Sequence, residues 1–300
     1  MRGWLIRHVA SSLERRVQRS AGLPRFRWIR GSRADSSAMP EGHTVHRLAR
    51  ALRDTLGSDP VGATSPQGRF EAGARLIDGE TLVRSEAWGK YLFVRLGDSV
   101  LHVHLGLIGK FRDRGAPAPP PADTVRLRLA NHRATWDLTG PSTCSVITRA
   151  EQRLICANLG ADPLRRSPDV DRARLRMTRS TKPVGAVLLD QTVIAGLGNI
   201  YRAEVLFLCG IDPRRPANQL SDDEFGCVWD QSRRLLRIGL RHGRIITTDP
   251  TEVGRPRSRM SADDTLYVYH RDHCRRCGTE IRTVALAGRP MQWCPTCQPG

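Results

Sequence analysis

Lysine is nearly absent from this chain. Only Lys90, Lys110 and Lys182 stand against 45 arginines. With so much Ala and Gly, that ratio reads as genome composition rather than chemistry. It still singles out each lysine, because arginine cannot give up its proton and lysine can. Aromatic residues are scarce too, at 5%. No run of about 18 apolar residues occurs, which excludes a membrane-spanning helix. No internal repeat occurs, which excludes solenoids and propellers. Acids are the remaining shortage: 30 Asp and Glu against 48 basic residues leave a net charge of +18. A field of that sign favours a polyanion, nucleic acid first, with a solvated basic surface or anionic lipid as the other readings. At 39% hydrophobic, 300 residues suffice for two domains with ample core.

Part of the charge belongs to a leader. Residues 1–38 hold nine Arg against Glu14 and Asp35, so the remainder from Met39 still carries +11. An Arg-rich, acid-poor leader fits a transit peptide or a misassigned upstream start. The second is preferred, because Met39-Pro40-Glu41-Gly42 reads as the beginning of a protein. Removal of Met39 makes Pro40 a secondary amine, a covalent nucleophile that no peptide-bonded proline can imitate. If the leader stays, the Pro40 nitrogen is a tertiary amide with no lone pair to offer.

Beyond Met39 the pattern changes twice. Thr44–Leu56 has helical spacing, with Val45, Leu48, Ala49 and Leu52 on one face. Residues 63–147 then read as short strands, at Arg75–Asp78, Tyr91–Leu96, Val100–Leu105, Thr124–Leu129, Thr135–Pro141 and Cys144–Ile147. From about Ala150 helices are expected over Glu151–Leu159, Val170–Met177, Val184–Asp190, Arg202–Leu208 and Asp222–Gly239. The spacing divides the chain at 1–38 (leader), 39–149 (β domain), 150–262 (helical domain) and 263–300 (metal module). The fold class is α+β multidomain: an N-terminal β-sandwich with a flanking helix, a helical domain and a cysteine-paired hairpin.

Two motifs carry chemistry by themselves. Cys274-x-x-Cys277, sixteen residues, then Cys294-x-x-Cys297 has zinc-ribbon spacing. Four thiolates leave no open position, so the zinc is structural; two disulfides or a redox pair are the other readings. Cys144, Cys156, Cys209 and Cys227 lie scattered in apolar contexts, as in a reducing cytosol. Arg289 lies at the tip of the hairpin expected between the knuckles, placed for a phosphate or simply solvated. Gly196-Leu197-Gly198-Asn199-Ile200-Tyr201 is a glycine turn opening a helix, an anion cradle or a plain helix corner.

Together these motifs make the chain resemble the formamidopyrimidine-DNA glycosylase/endonuclease VIII family, from Met39 to Gln298. Met39-Pro40-Glu41-Gly42 is like the endonuclease VIII start. Leu189-Asp190-Gln191 followed by the glycine turn is similar to the family's helix–two-turn–helix, and the terminal ribbon to its zinc finger. The resemblance implies a bifunctional base-excision repair enzyme, a DNA N-glycosylase and abasic-site lyase. It implies Pro40 as nucleophile, Glu41 as acid/base and Lys90 as the catalytic lysine of a β-turn. Leu107 corresponds to the side chain that fills the void left by a flipped base, and Asn199 and Arg289 to phosphate grips. One structural Zn²⁺ on the four cysteines, damaged DNA (duplex or single-stranded) as partner, no membrane, a monomer, a cytoplasmic and nucleoid-associated location, and β,δ-elimination follow from the same likeness. If the leader is retained, the alternative is a non-catalytic DNA-binding protein.

Three positions depart from the family pattern. His43-Thr44 stand where Pro-Glu is frequent. The Thr135–Pro141 stretch lacks the Arg-x-Phe that probes the opposite strand, which favours oxidised pyrimidines over 8-oxoguanine. Pro290-Met291 follow Arg289 where small residues are usual.

Overall fold

The computed structural model describes residues 40–300; the leader and Met39, where the expected chain start lies, fall outside the described residues. Helix α1 (Gly42–Leu56) follows Pro40 at once and buries Val45, Leu48, Ala49, Leu52 and Leu56, the face its spacing predicts. After it come β1 (Pro60–Thr64), a short α2 (Glu71–Arg75), β2 (Glu80–Trp88), β3 (Tyr91–Leu96) and β4 (Ser99–His104). Four more strands complete this part: β5 (Lys110–Asp113), β6 (Val125–Ala130), β7 (Thr135–Thr139) and β8 (Thr143–Ile147). All neighbours are antiparallel, in the order β5-β7-β6-β1-β2-β3-β4-β8. β1 and β2 share only the pairs Pro60↔Thr81 and Val61↔Glu80, a short seam between two halves. Both halves pack into one core: Leu127, Leu129 and Leu138 from one side, Leu92, Val94, Leu101 and Val103 from the other.

One expected strand is not there. Arg75 ends α2, and residues 76–79 form a turn. Asp78 accepts a hydrogen bond from the Ala63 amide at 2.7 Å, and Gly79 takes φ 76°. An Asp side chain bonding backbone beside a left-handed glycine is turn chemistry, and it overrides the apolar Leu76-Ile77 pair.

The helical region holds α3 (Arg149–Asn158), α4 (Val170–Thr178), α5 (Val184–Val187), α6 (Asn199–Leu208), α7 (Asp222–His242) and α8 (Pro250–Val253). Capping boxes start α3 (Thr148 with Glu151) and α7 (Ser221 with Glu224), and Gly243 ends α7 at φ 73°. Strands β9 (Arg282–Leu286) and β10 (Arg289–Trp293) make the expected hairpin. Its tip, Ala287-Gly288, has φ of 53° and 70°, the two positive values a tight right-twisted hairpin needs. This hairpin has no core of its own. Met291 and Cys294 join Tyr201, Phe207, Val228 and Tyr267 in the helical core. Cys209, at the end of α6, is disulfide-bonded to Cys227 on α7 with Cα atoms 5.9 Å apart, where the sequence suggested free thiols. The returning α6–α7 connection brings together two cysteines that lie 18 residues apart in the chain. Among the described residues no helix is long and apolar enough to cross a membrane.

Candidate active site

The β core and the helical core meet through glycine backbone. The Gly42 amide donates to the Gly196 carbonyl at 2.8 Å. A Cβ on Gly42 would lie 2.8 Å from the Gly196 Cα, and one on Gly89 would lie 2.7 Å from the Ala195 Cβ. Approach this close needs residues without a Cβ.

Glu41 crosses that seam. It is 1% exposed, and its carboxylate accepts the Gly198 amide at 2.7 Å and the Ile200 amide at 2.9 Å. These are orphan donors at the start of α6, which has no side-chain cap of its own. A carboxylate from one core thus caps a helix of the other. Burial pushes the Glu41 carboxyl above its ordinary range, outweighing Lys90 and the backbone donors, which pull it down. Burial likewise drives the Lys90 amine below its ordinary value, against Glu41 and with help from Arg289 and Arg202. Both shifts favour the neutral forms, as perturbed groups at functional sites commonly do.

Lys90 sits on the β2–β3 turn, which is held from behind. Trp88 Nε1 donates to the Gly160 carbonyl at 2.9 Å, and the Gly89 amide to Asp162 Oδ2 at 2.7 Å. The same Asp162 oxygen lies 2.7 Å from His46 Nε2 on α1. Residues 160–161 also bond the glycine turn: Gly160 N donates to Gln191 O at 2.8 Å, and Ala195 N to Ala161 O at 2.9 Å. One short segment therefore fixes the lysine turn against the glycine turn.

Pro40, Glu41, Lys90, Leu107, Asn199 and Arg289 all line one cleft of about 880 Å³. His104, Arg176, Lys182 and Gln191 line it with them. Leu107 and Ile108 project from the β4–β5 turn, 50% and 76% exposed. The Gly109 amide closes that turn onto the Leu105 carbonyl at 3.0 Å, which leaves both side chains pointing outward. The β7–β8 connection is only Gly140-Pro141-Ser142, with the Ser142 hydroxyl 2.7 Å from His104 Nδ1.

Asn199 is anchored to the hairpin. Its Nδ2 donates to the Pro290 carbonyl at 3.1 Å, and its Oδ1 accepts from Arg202 at 2.6 Å. Arg202, fully buried, also donates to the carbonyls of Gly185 and Leu286, and burial followed by Arg289 lowers its pKa to about 10. Glu204, likewise fully buried, accepts the Tyr267, Val268 and Tyr269 amides at 2.8, 2.9 and 2.9 Å. Sequence reasoning passed over Arg202, Glu204 and Asp162. The signal for the first two was present: a cation and an anion inside an otherwise apolar helix are seldom buried unless partnered. Asp162 had no such signal, since its partners lie 73 and 116 residues away.

The Sγ atoms of Cys274, Cys277, Cys294 and Cys297 all lie within 4.8 Å of one another, three of the pairs at 3.4–3.9 Å. A tetrahedron with Zn–S bonds of about 2.3 Å has edges near 3.8 Å, so the cluster fits one structural zinc. Gln298 seats the knuckle on the helices, accepting from Cys294 N at 3.0 Å and donating to Ile211 O at 2.8 Å.

Comparison with known proteins gives a consistent set of likenesses. Residues 39–140 match the formamidopyrimidine-DNA glycosylase N-terminal domain, 159–251 its H2TH domain, and 273–300 the zinc finger found in FPG and IleRS. Endonuclease 8 1 of Mycobacterium tuberculosis is 44% identical over 267 residues, covering 87% of this chain and all of the relative. Formamidopyrimidine-DNA glycosylase of Lactococcus lactis is 30% identical over 279 residues, covering 87% of this chain and 99% of the relative. Among solved structures, Lactococcus lactis Fpg bound to DNA containing an abasic site superposes with a TM-score of 0.71 at 28% identity, over 87% of this chain and all of that one.

Proposed function

The chain belongs to the formamidopyrimidine-DNA glycosylase/endonuclease VIII family of oxidised-base repair enzymes, and from that premise we propose that its cleft works through Pro40, with oxidised pyrimidines as the favoured lesions. The observation that carries the reading is the meeting of Pro40, Glu41 and Lys90 in one cleft with two buried groups poised toward neutrality.

The chemistry requires the Pro40 nitrogen to be free, as it is in a chain begun at Met39 and trimmed by one residue. An α-amino group titrates near 8, so a useful fraction is uncharged at pH 7. Its lone pair attacks C1′ of the flipped nucleotide, and the C1′–N bond electrons leave with the base. The amine then loses its proton and the C1′–O4′ bond opens, its electrons taking a proton at O4′, which leaves an iminium. That iminium accepts the electron pair released when a C2′ proton is removed, and the 3′ phosphate departs. A second elimination expels the 5′ phosphate. Glu41, with its carboxyl raised by burial, can hold the proton delivered to the sugar oxygen. Lys90, shifted by burial toward its neutral amine, carries no charge beside the iminium until it accepts a proton and becomes an ammonium. Leu107 and Ile108 supply the apolar wedge. Arg289, Arg176 and Lys182 meet phosphate, while Asn199, bonded to the hairpin, lines the cleft at the start of α6 beside them. The β7–β8 connection is only three residues long and carries no Arg or Phe, which supports the pyrimidine reading.

Every group in the cleft comes from one chain, so a monomer suffices. The zinc, when bound, holds the hairpin that presents Arg289. Nucleoid association and a cytoplasmic location accompany DNA binding under this reading. Borohydride trapping on a thymine-glycol or abasic oligonucleotide tests it, with protein begun at Met39 beside the full chain. A covalent adduct from the shorter form is expected. Tight binding with no adduct from either form would leave a DNA-binding protein without catalysis.

A further inference from the structure

Helix α3 buries none of its residues. Asn158, at its C-terminal end, lines the catalytic cleft. Arg149, Arg153 and Cys156 share one face at helical spacing and line a second groove of three adjoining cavities, about 360, 240 and 90 Å³. Trp88, Phe93 and Val100 also line this groove, together with Arg84, Arg95, Arg165 and Arg172. Glu86 is the acid central to it, and it is already shared by Arg84 at 2.9 Å, Arg165 at 3.7 Å and Gln152 at 3.0 Å. Asp162 and Asp169, at the near end, are engaged with backbone amides. Arg149 and Arg153 have no acidic partner among the described residues, and Arg95 Nε is buried without one.

Cleft and groove adjoin at the C-terminal end of α3. Helix C-termini repel anions. Here Arg172 donates to the Ala157 carbonyl at 2.7 Å and Arg176 to the Asn158 carbonyl at 3.4 Å, which offsets the negative end of α3. The two arginines lie one turn apart on α4, with Arg176 in the cleft and Arg172 in the groove.

We infer that the groove along α3 is a second track for nucleic-acid backbone, taking up the strand that leaves the catalytic cleft. The groove adjoins the cleft at the end of α3, where Ala157 lines one and Asn158 the other, and that adjacency favours nucleic acid over an acidic protein. A ten-residue helix is about 15 Å long, and duplex DNA rises about 3.4 Å per base pair along its axis, so the track runs alongside about four base-pair steps. The inference rests on the DNA-repair reading, and its test keeps the two apart.

The salt dependence of binding would be measured by anisotropy, using oligonucleotides that carry a tetrahydrofuran abasic analogue. One has long flanks on both sides; in two others one flank is cut back to the lesion. The double variant Arg149→Ala/Arg153→Ala should lower the log–log salt slope on long-flank DNA by about 1.4 to 1.8, at 0.7 to 0.9 per lost phosphate contact. Arg149→Lys/Arg153→Lys should restore it. On the oligonucleotide missing the flank that uses the groove, wild type and Ala variant should bind alike. Equal slopes on long-flank DNA, or the same loss whichever flank is missing, would overturn the inference and leave the groove to an acidic protein or to no partner. Undiminished wild-type cleavage of short-flank abasic DNA would show that the repair reading stands regardless.

Discussion

Glu41 caps α6 with a carboxyl that, under the proposed mechanism, also holds a proton in the cleft. Glu41→Gln separates the two roles, since an amide offers one acceptor where the carboxylate offers two and cannot donate an acidic proton. Single-turnover release of an oxidised base should fall by about 10²- to 10⁴-fold, the range for loss of a general acid, while the melting temperature drops only modestly. His43 gives a second residue-scale prediction. It is 3% exposed, edge-on to Tyr201 at 5.4 Å, and burial followed by Arg47 and His46 lowers its pKa to about 3. The unfolded chain therefore binds the extra proton between about pH 3 and 6.5, so stability is full above that window and falls as pH drops through it. Between pH 6.5 and 5 the loss should be about 2 kcal/mol, at 1.36 kcal/mol per pH unit. His102, lowered to about 4, adds to it with the same sign. Denaturant midpoints at pH 7 and pH 5 measure the effect, and His43→Leu should flatten the difference.

At the level of elements, the glycine seam is where substitution is least tolerated. Gly89 has φ 56° and faces the Ala195 Cβ, so Gly89→Ala meets both a left-handed backbone and a clash. Those costs, about 1–2 and 1–3 kcal/mol, should sum to about 2–5 kcal/mol in urea unfolding. Because Lys90 is the next residue, the cleavage rate of the folded fraction should drop as well. An unchanged rate would mean the turn relaxes without moving the lysine. The same seam shows what the sequence could and could not disclose. α1, α3, α4 and α7 were legible because apolar spacing and caps are local. β2 was passed over, since Glu80–Trp88 lacks clean alternation, and residues 75–78 misled because Asp78 finds its partner on β1. Pro40, Glu41 and Lys90 could be named one by one from motifs. That a carboxylate on one core would cap a helix of the other, with Asp162 steadying the lysine turn, depends on contacts between distant residues that no local pattern encodes.

For the whole molecule, the zinc hairpin behaves as part of the helical core rather than as an appendage. Asn199 and Arg202 bond its backbone, and Met291 is fully buried beneath it. Stripping the metal with a chelator should therefore do more than free Arg289. Hydrogen exchange should rise along α6 as well as in β9 and β10, and DNA affinity should collapse, while β2–β4 keep their protection. Confinement of the change to residues 273–298 would show instead that the hairpin unfolds alone.

The shortage of lysine has a meaning of its own once the cleft is known. A cut abasic sugar is an aldehyde, and aldehydes condense with any neutral amine they meet. Lys90 and Lys182 lie in the cleft and Lys110 is exposed on β5, while the remaining positive surface is guanidinium. Arginine stays protonated and offers no such amine. Outside the cleft the positive surface is thus largely inert toward such an aldehyde, and it can grip a broken strand over a wide area with little risk of becoming cross-linked to it. The amines able to condense are concentrated in the cleft.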